Sequence, residues 1–276
     1  MKNYTIGFYL EKLYYSPQFE PVIKEIIKRN ISYVVIIPKN RERDELNQRG
    51  ESIKHCQEEG FVYCFEEDDC ECNIMIFGNT PRPIHTPFKK SALIMHGVWG
   101  GKMVNYASGL NDVDLRFLDG EFLENSLTKL FPEKKSIYYV SGYSKLDSYF
   151  EFTEEDRVKF LQHCNLDINK KTILYAPTFY PSSILKMSKK FPEDLADYNI
   201  ILKPHSHLFL RKKYTKDLHR LESWTKYPNV YLAKFDETNI LPFLHASDLM
   251  ISDMSSAVFE FSGVGKPAIV NMFLRY

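Results

Sequence analysis

The pattern that most restricts the fold is a repeated alternation of short apolar runs with longer polar stretches of helical periodicity. The run 32–38 reads Ser-Tyr-Val-Val-Ile-Ile-Pro, which is typical of a strand buried on both faces of a parallel sheet. The stretch 18–29 has apolar residues three and four positions apart, as a core-facing helix does. The candidate strands of this half are residues 5–10, 32–38, 73–77, 92–96, 115–118 and 137–140.

A second alternation begins after a polar stretch at 150–171, in which Thr153-Glu154-Glu155-Asp156 has the pattern of a capping box. Its candidate strands are residues 172–176, 199–203, 230–233, 249–252 and 268–271. The chain has 276 residues, enough for two domains. We therefore predict an α/β protein with two Rossmann-like domains, 1–150 and 165–276, that face a cleft. Ligands in such sheets bind at the carboxyl ends of the strands.

Charge and cysteine usage exclude several classes of protein. Lys plus Arg and Asp plus Glu both number 36, so the basic excess of a dedicated nucleic-acid binder is absent. Apolar runs fall short of a membrane span, and the N-terminus does not read as a signal peptide, so a cytoplasmic protein is expected. The five cysteines do not suggest a disulfide framework. The segment from Cys56 to Cys72 lacks zinc-ligand spacing, and we interpret it as an acidic surface loop with reduced thiols.

The first candidate site follows the strand at 92–96, where His96 precedes Gly97 and a glycine-rich turn. An imidazole at a strand end is suited to remove a proton from a hydroxyl near neutral pH. Gly97 allows close approach of a ligand, and Lys102 is a candidate phosphate contact. A structural histidine in a tight turn explains the same pattern, and the sequence leaves both interpretations open.

Two further candidate sites follow strands of the second half. Lys203-Pro204-His205 places a cation and an imidazole directly after a strand, a combination suited to a phosphate or pyrophosphate. His205 and His207 lack an evident third metal ligand, so no metal is expected there, and His207 is interpreted as a solvated loop residue.

The last site is the segment from Asp253 to Glu260. Ser255 or Ser256 is predicted to cap a helix whose first turn offers free backbone N–H groups to an anion. Glu260 lies one turn further, where a carboxylate can accept a hydrogen bond from a ligand hydroxyl. An ordinary capped helix remains the simpler interpretation.

Together these segments resemble the bacterial CDP-glycerol glycerophosphotransferases of teichoic-acid synthesis, from about His96 to the C-terminus. His96-Gly97 resembles the family's strand-end His-Gly, although Lys102 lies six rather than five positions after the histidine. Residues 142–147, Gly-Tyr-Ser-Lys-Leu-Asp, are similar to the family's Gly-Tyr-Pro-Arg-Asn-Asp segment. Residues 175–179, Tyr-Ala-Pro-Thr-Phe, resemble its Tyr-Ala-Pro-Thr-Trp strand end. Residues 203–205 match its basic-Pro-His turn, and residues 253–260 resemble Asp-Tyr-Ser-Ser-x-x-Phe-Asp.

The resemblance implies a GT-B fold and transfer of glycerol phosphate from CDP-glycerol to a hydroxyl, with release of CMP. His96 would be the general base, and His205 a second catalytic residue that binds the pyrophosphate. The remaining donor and phosphate contacts would be Thr178, Lys203, Asp253, Ser255, Ser256 and Glu260. The family's acceptor is lipid-linked, which implies peripheral contact with the inner membrane face, and no tightly bound cofactor is expected. The family fold continues past the strand at 268–271, so the second domain is expected to lack its closing helices.

Two alternatives remain from the sequence. A nucleotide-sugar glycosyltransferase or UDP-sugar epimerase of the same fold would have similar strands and phosphate sites. A non-catalytic nucleotide-binding module would bind the nucleotide without turnover.

Overall fold

The computed structural model describes residues 2–39, 48–98, 106–133 and 135–272. The chain divides into two compact units, unit 1 (Met1–Asp147) and unit 2 (Ser148–Tyr276). Each unit contains one parallel sheet flanked by helices, and the predicted α/β class is confirmed.

The described residues of unit 1 form a sheet of seven parallel strands. They are β1 (Lys2–Tyr9), β2 (Tyr33–Ile37), β3 (Tyr63–Phe65), β4 (Cys70–Phe77), β5 (Phe88–Ile94), β6 (Leu115–Leu118) and β7 (Ile137–Val140). The sheet order is β3-β2-β1-β4-β5-β6-β7, which begins with the order 3-2-1-4-5-6 of a Rossmann sheet. The order reverses between β1 and β4, and binding sites form at the carboxyl ends near such a reversal. The helices of unit 1 are α1 (Ser16–Lys28), α2 (Gln48–Glu58) and α3 (Glu121–Leu130).

Both faces of the unit 1 sheet are covered by apolar side chains. All five residues of β2 are buried, as the continuous β-branched run predicts for a central parallel strand. α1 places Phe19, Ile23 and Ile26 into one core, and their spacing of three and four residues explains why this stretch is a core-facing helix. Pro17 fits the first turn, where a backbone N–H has no partner within the helix.

The interpretation of residues 56–72 as a surface loop is wrong. Cys56 ends up buried near the end of α2, and the short strand β3 follows, which is too brief to give a periodic signal. Cys70 and Cys72 alternate with the more exposed Glu71 on β4, because successive side chains on a strand point to opposite faces. The acidic residues make this segment look exposed in the sequence, although the thiols of Cys70 and Cys72 are buried. All five cysteines of the chain are free.

Unit 2 is built on five parallel strands. They are β8 (Thr172–Ala176), β9 (Asn199–Leu202), β10 (Val230–Leu232), β11 (Leu249–Ser252) and β12 (Ala268–Val270). The order β10-β9-β8-β11-β12 repeats the order of the first five strands of unit 1 and reverses between β8 and β11. The helices are α4 (Glu154–His163), α5 (Phe191–Asp194), α6 (His207–Leu210), α7 (Thr215–Trp224), α8 (Leu241–Ala246) and α9 (Ser256–Gly263).

α4 begins at the predicted capping box. The Thr153 hydroxyl accepts a hydrogen bond from the Asp156 N–H, and the Asp156 carboxylate accepts one from the Thr153 N–H in return. This helix packs on α8 through the rings of Phe160 and Phe243, whose centroids are 5.0 Å apart. The polar stretch between β9 and β10 contains two helices, α6 and α7, because Arg211 adopts an extended conformation between them.

Among the described residues, none of the helices is long and apolar enough to cross a membrane.

Candidate functional site

His96 lies directly beyond β5 and is fixed by the carbonyl oxygen of Gly78, which follows the neighbouring strand β4. The His96 backbone N–H donates to this oxygen at 3.1 Å, and the ring Nδ1 lies 2.7 Å from it. A carbonyl oxygen can only accept, so Nδ1 carries the proton of the ring. In the neutral imidazole, Nε2 then holds the lone pair, which is the arrangement a general base needs.

Two tyrosines that follow β1 hold the His96 ring. The Tyr15 ring is stacked on it with centroids 4.6 Å apart, and the Tyr14 ring meets it edge-on at 5.2 Å. Burial raises the pKa of both phenols, so both tyrosines are neutral near pH 7. On the other side, the Tyr143 hydroxyl donates to the His96 carbonyl oxygen at 3.1 Å. The imidazole is therefore held through both its ring and its backbone.

Gly78 is required for this packing. A Cβ atom at this position would come within 2.6 Å and 2.8 Å of two Tyr15 ring atoms. Any larger residue would push the tyrosine ring that is stacked on His96. Gly97 lies in the turn after His96 and is half-buried, while Lys102 falls outside the described residues.

In unit 2, the predicted donor residues lie at the carboxyl ends of three adjacent strands. Residues 178, 203 and 253 follow β8, β9 and β11 respectively, and these strands are neighbours in the order β9-β8-β11. The register pairs Tyr175 with Leu202 and Ala176 with Ser252, so the three strands end at one level. The topology brings Thr178, Lys203 and Asp253 to one edge of the sheet, as the sequence predicts.

Asp253 fastens the loop after β8 to the end of β11. Its Oδ2 accepts hydrogen bonds from the backbone N–H groups of Thr178 at 3.1 Å and Ser183 at 3.2 Å. The side chain is 1% exposed, and burial raises the pKa of its carboxyl. These contacts show that Asp253 positions the loop after β8. The donor phosphate contact that the resemblance implies for Asp253 stays a prediction.

His205 is exposed and has the opposite tautomer to His96. Its Nδ1 accepts a hydrogen bond from the His207 backbone N–H at 3.1 Å, so in the neutral ring Nε2 carries the hydrogen. This N–H is suited to donate to a phosphate oxygen. The Phe179 ring, from the loop after β8, contacts the rings of both His205 and His207 at 4.9 Å and 4.8 Å. His207 is half-buried in this cluster, so its interpretation as a solvated loop residue is wrong.

Lys203 is half-buried, and its Nζ lies 5.3 Å from the centre of the Phe243 ring.

Ser255 is the N-cap of α9, and its hydroxyl oxygen accepts a hydrogen bond from the Ala257 N–H at 3.3 Å. Ser256 is the first residue of that helix, where backbone N–H groups and the helix dipole favour an anion. Glu260 is 3% exposed, so it faces the interior of unit 2.

Sequence reasoning missed the residues that hold His96. Gly78 and Tyr15 carry no recognisable motif, and their relation to His96 depends on β1, β4 and β5 being neighbours in the sheet. The aromatic pair Tyr14-Tyr15, a few residues after β1, is the nearest sequence signal, and such a pair fits core packing and ligand contact alike.

Comparison with known proteins shows which family this chain matches. A family model described as CDP-Glycerol:Poly(glycerophosphate) glycerophosphotransferase matches residues 88–273. The chain is 28% identical over 156 residues to the teichoic acid glycerol-phosphate primase of Bacillus subtilis (strain 168). It is also 28% identical over 155 residues to the enzyme of the same name from Bacillus spizizenii. These matches cover 56% and 54% of this chain but 39% and 37% of the relatives, so it spans well under half of their length.

Solved structures agree on the fold. The wall teichoic acid polymerase TagF aligns with a TM-score of 0.59 at 16% identity, over 96% of this chain and 69% of that chain. The UDP-GlcNAc 2-epimerase of Neisseria meningitidis aligns with a TM-score of 0.55 at 14% identity, over 98% of this chain and 82% of that chain. At these identities the likeness shows a shared GT-B fold, and the predicted fold is confirmed.

Proposed function

Because the chain belongs to the CDP-glycerol:poly(glycerophosphate) glycerophosphotransferase family, we propose that it transfers glycerol phosphate from CDP-glycerol to a hydroxyl acceptor in the synthesis of teichoic acid or a related surface polymer. The observation that supports this proposal best is the 2.7 Å contact between His96 Nδ1 and the Gly78 carbonyl oxygen. It prepares Nε2 to accept a proton. An acceptor hydroxyl is a poor nucleophile until a base removes its proton.

The proposed reaction is a single displacement at phosphorus. The acceptor oxygen attacks the phosphorus that carries glycerol, and a new P–O bond forms while the P–O bond to CMP breaks. CMP leaves with the electron pair of that bond. His96 Nε2 takes the hydroxyl proton and later releases it to solvent. In this assignment unit 1 activates the acceptor.

Unit 2 is assigned to the donor. Lys203 would neutralise part of the pyrophosphate charge, and the Nε2–H of His205 would donate a hydrogen bond to a phosphate oxygen; such stabilisation of charge is the main requirement of phosphoryl transfer. The Ser255 and Ser256 hydroxyls would add hydrogen bonds to phosphate oxygens, at the positive end of the α9 dipole. Thr178 would contact the donor from the loop that Asp253 holds in place. Glu260, in α9, would accept a hydrogen bond from a donor hydroxyl. One of the solved TagF structures is of a variant soaked with CDPG, which is consistent with this choice of donor.

The remaining assignments concern the acceptor and its location. Gly97 and Lys102 are proposed as phosphate contacts next to the base. The acceptor is proposed to be lipid-linked and to be reached at the inner face of the cell membrane, where the enzyme would bind peripherally from the cytoplasm.

A donor screen tests the proposal. Thermal shift and product analysis with CDP-glycerol, CDP-ribitol and UDP-sugars should show stabilisation and CMP release with CDP-glycerol. Turnover of a UDP-sugar would instead indicate a glycosyltransferase or epimerase of the same fold. CDP binding without turnover of any donor would indicate a nucleotide-binding module.

The donor assignment has its own test. Replacing Ser255 and Ser256 together by Ala removes hydroxyl groups that can donate to phosphate, at about 1–1.5 kcal/mol for each hydrogen bond. Calorimetry should show CDP affinity lower by at least tenfold. An unchanged affinity in the folded double variant would remove both serines from the donor site.

A further inference from the structure

Unit 1 brings two thiols into contact where the chain turns from β3 into β4. Cys64 lies on β3, Cys70 is the first residue of β4, and their sulfur atoms are 2.9 Å apart. A disulfide bond is about 2.05 Å long, so these sulfurs need to approach by only about 0.9 Å to form one. Both cysteines are free in this structure. The pair is therefore a dithiol that a small movement would convert to a disulfide.

The turn between the two cysteines is held by the sheet at both ends. At its start, the Glu66 N–H donates to the Ile37 carbonyl oxygen of β2 at 3.0 Å. At its end, the Lys2 N–H of β1 donates to the Asp69 carbonyl oxygen at 2.9 Å. The backbone thus keeps the two sulfurs together, and reacting groups that are held in contact have a high effective concentration.

A third thiol, Cys72, lies nearby but packs against a different part of the sheet. It follows Cys70 by two residues on β4 and is 3% exposed. A Cβ atom at Gly7 of β1 would come within 2.6 Å of the Cys72 sulfur, so this thiol occupies the space above the glycine. Cys72 is therefore as buried as Cys70 but has another neighbour, which makes it a matched control.

Cys64 is the thiol of the pair that an oxidant can reach. It is half-buried, whereas Cys70 is 2% exposed. Both lie in an apolar cluster that includes Tyr9 and Ile36. A disulfide is uncharged and fits such surroundings, whereas a charged sulfinate would not. Low-molecular-weight disulfides oxidise thiols without forming charged sulfur products, because they act by thiol–disulfide exchange.

We infer that Cys64 and Cys70 form a reversible redox site, which a low-molecular-weight disulfide such as oxidised glutathione converts to an intramolecular disulfide. The Cys64 thiolate attacks one sulfur of the oxidant, and a mixed disulfide forms while one thiolate leaves. The Cys70 thiolate then attacks the Cys64 sulfur and displaces the second thiolate. Two protein thiols are oxidised, the oxidant is reduced to two thiols, and the two protons pass to the released thiolates. This inference does not depend on the proposed function.

The surroundings of Cys64 determine how the reaction depends on pH. Burial raises the pKa of the Cys64 thiol, and the Cys70 thiol and the Asp68 carboxylate raise it further. Cys72 and the phenol of Tyr4 on β1 face the same cluster. Cys64 is therefore protonated near pH 7, and exchange requires its thiolate. Disulfide formation should be about tenfold slower at a pH of about 7.5 than at about 8.5.

Mass spectrometry of the full chain tests the inference. The folded protein is incubated with oxidised glutathione at a pH of about 8.5, and the remaining thiols are then blocked with N-ethylmaleimide in denaturant. The oxidised chain should take up three blocking groups instead of five, since two of the five thiols are lost. Dithiothreitol should restore all five. An unchanged count of five, or a mixed disulfide with glutathione that persists at Cys64, would overturn the inference.

The acidic residues of the turn allow the linked pair to be identified in the unmodified sequence. Cleavage after glutamate releases residues 60–66 with Cys64 and residues 68–71 with Cys70, and it separates Cys72 from both. The oxidised protein should yield the first two peptides joined by a bond that dithiothreitol breaks. A link between any other two cysteines would contradict the assignment.

Two variants complete the test. Cys70→Ser removes one thiol of the pair and should abolish formation of the disulfide, whereas Cys72→Ser should form it as the parent does. The opposite result, with the disulfide lost in Cys72→Ser and kept in Cys70→Ser, would show that the pair is wrongly assigned. Should Cys70→Ser fail to fold, the peptide map of the parent still decides the question.

Discussion

His96 in unit 1 and His205 in unit 2 both follow a strand of a parallel sheet, and their rings make opposite use of Nδ1. Nδ1 of His96 is the donor to the Gly78 carbonyl oxygen at 2.7 Å, whereas Nδ1 of His205 accepts from the His207 N–H at 3.1 Å. In the neutral rings, Nε2 is therefore a proton acceptor in His96 and a proton donor in His205. One local backbone contact is enough to prepare the same side chain for two different chemical tasks.

The surroundings of the two histidine rings also fit these two different tasks. His96 is half-buried against Tyr14 and Tyr15, which fixes its plane. His205 is exposed and meets an aromatic ring from the loop that Asp253 fastens. A general base needs a precise direction, whereas a group that binds phosphate mainly needs a charge or an N–H within reach.

Removing either imidazole should have the largest effect on activity. His96→Ala should lower kcat by about 10²–10⁴-fold, which corresponds to about 3–5 kcal/mol in the barrier, because the acceptor hydroxyl loses its base. CDP affinity should stay near that of the parent, since the donor phosphates are assigned to unit 2. Steady-state kinetics with CDP-glycerol and calorimetry with CDP provide the two readouts.

His205→Ala should instead weaken CDP binding as well as turnover. The exposed His219 offers a matched control, and His219→Ala should leave both quantities unchanged. The assignment of roles fails if His96→Ala turns over normally. It also fails if His96→Ala loses CDP affinity as severely as His205→Ala does.

The next largest effect is expected at Asp253, where the loop of unit 2 is fastened by a charge rather than by rings. Asp253→Ala leaves the buried N–H groups of Thr178 and Ser183 without this acceptor, at about 1–3 kcal/mol each. Chemical denaturation should show a loss of about 2–5 kcal/mol. The exposed Asp197→Ala is the matched control and should stay within about 0.5 kcal/mol.

The pH dependence tests the same carboxyl. Burial raises the pKa of Asp253, so the folded state favours the protonated form more than the unfolded state does. The stability that the protonated carboxyl contributes is complete below the ordinary pKa of an aspartate. It is lost as the pH rises through the raised pKa of the folded state. Relative to Asp253→Asn, the parent should therefore lose unfolding free energy over that interval. An equal pH profile for the two proteins would contradict the assignment.

Gly78→Ala should disturb unit 1 through packing. The new Cβ would lie 2.6 Å from the Tyr15 ring, and crowding of this kind costs about 1–3 kcal/mol. Because Tyr15 is stacked on His96, kcat should also fall, with little change in CDP affinity.

Two glycine variants separate these effects. Gly120→Ala meets nothing within 4 Å and should leave stability and kcat near the parent. Gly7→Ala meets Cys72 Sγ at 2.6 Å in the core, so it should lower stability without a matching loss of kcat in the folded fraction. If Gly7→Ala reduces kcat as much as Gly78→Ala does, the effect of Gly78 is only general destabilisation.

The sequence was informative where chemistry follows a strand directly. The run Thr172–Ala176 and the strand Leu249–Ser252 have the predicted bounds, so the positions of residues 178 and 253 at one sheet edge followed from topology alone. It was uninformative where a contact joins distant segments. The Gly78 carbonyl oxygen, the Tyr15 ring and the Tyr143 hydroxyl reach His96 from three separate parts of the chain, and neither periodicity nor local spacing encodes such contacts.

The smallest effect is expected at an arrangement found in both units, in which one aspartate binds a lysine side chain and the next backbone N–H. We call this arrangement a carboxylate clamp. In unit 2, Asp248 accepts from Lys171 Nζ at 2.7 Å and from the Thr172 N–H at 2.9 Å. In unit 1, Asp114 accepts from Lys90 Nζ at 2.7 Å and from the Ser91 N–H at 2.8 Å. Each aspartate directly precedes one strand and binds a neighbouring strand, at the start of β8 in unit 2 and near the middle of β5 in unit 1. The side chain of Asp248 is 31% exposed and that of Asp114 is 42% exposed, so the clamp of unit 2 should be the stronger.

Asp248→Asn should lower the unfolding free energy by about 0.5–1 kcal/mol at neutral pH, and Asp114→Asn by less, since water and salt screen exposed pairs. Partial burial alone would raise the pKa of Asp248, but Lys171, the Thr172 N–H and Arg157 together hold it below its ordinary value. A lowered folded pKa gives stability that is present above the unfolded pKa and lost as the pH falls through the folded one. The difference between parent and Asp248→Asn should therefore shrink on acidification, as denaturation at pH 7 and near pH 3 would show. A difference that grows towards low pH would mean that the carboxylate does not act through its charge.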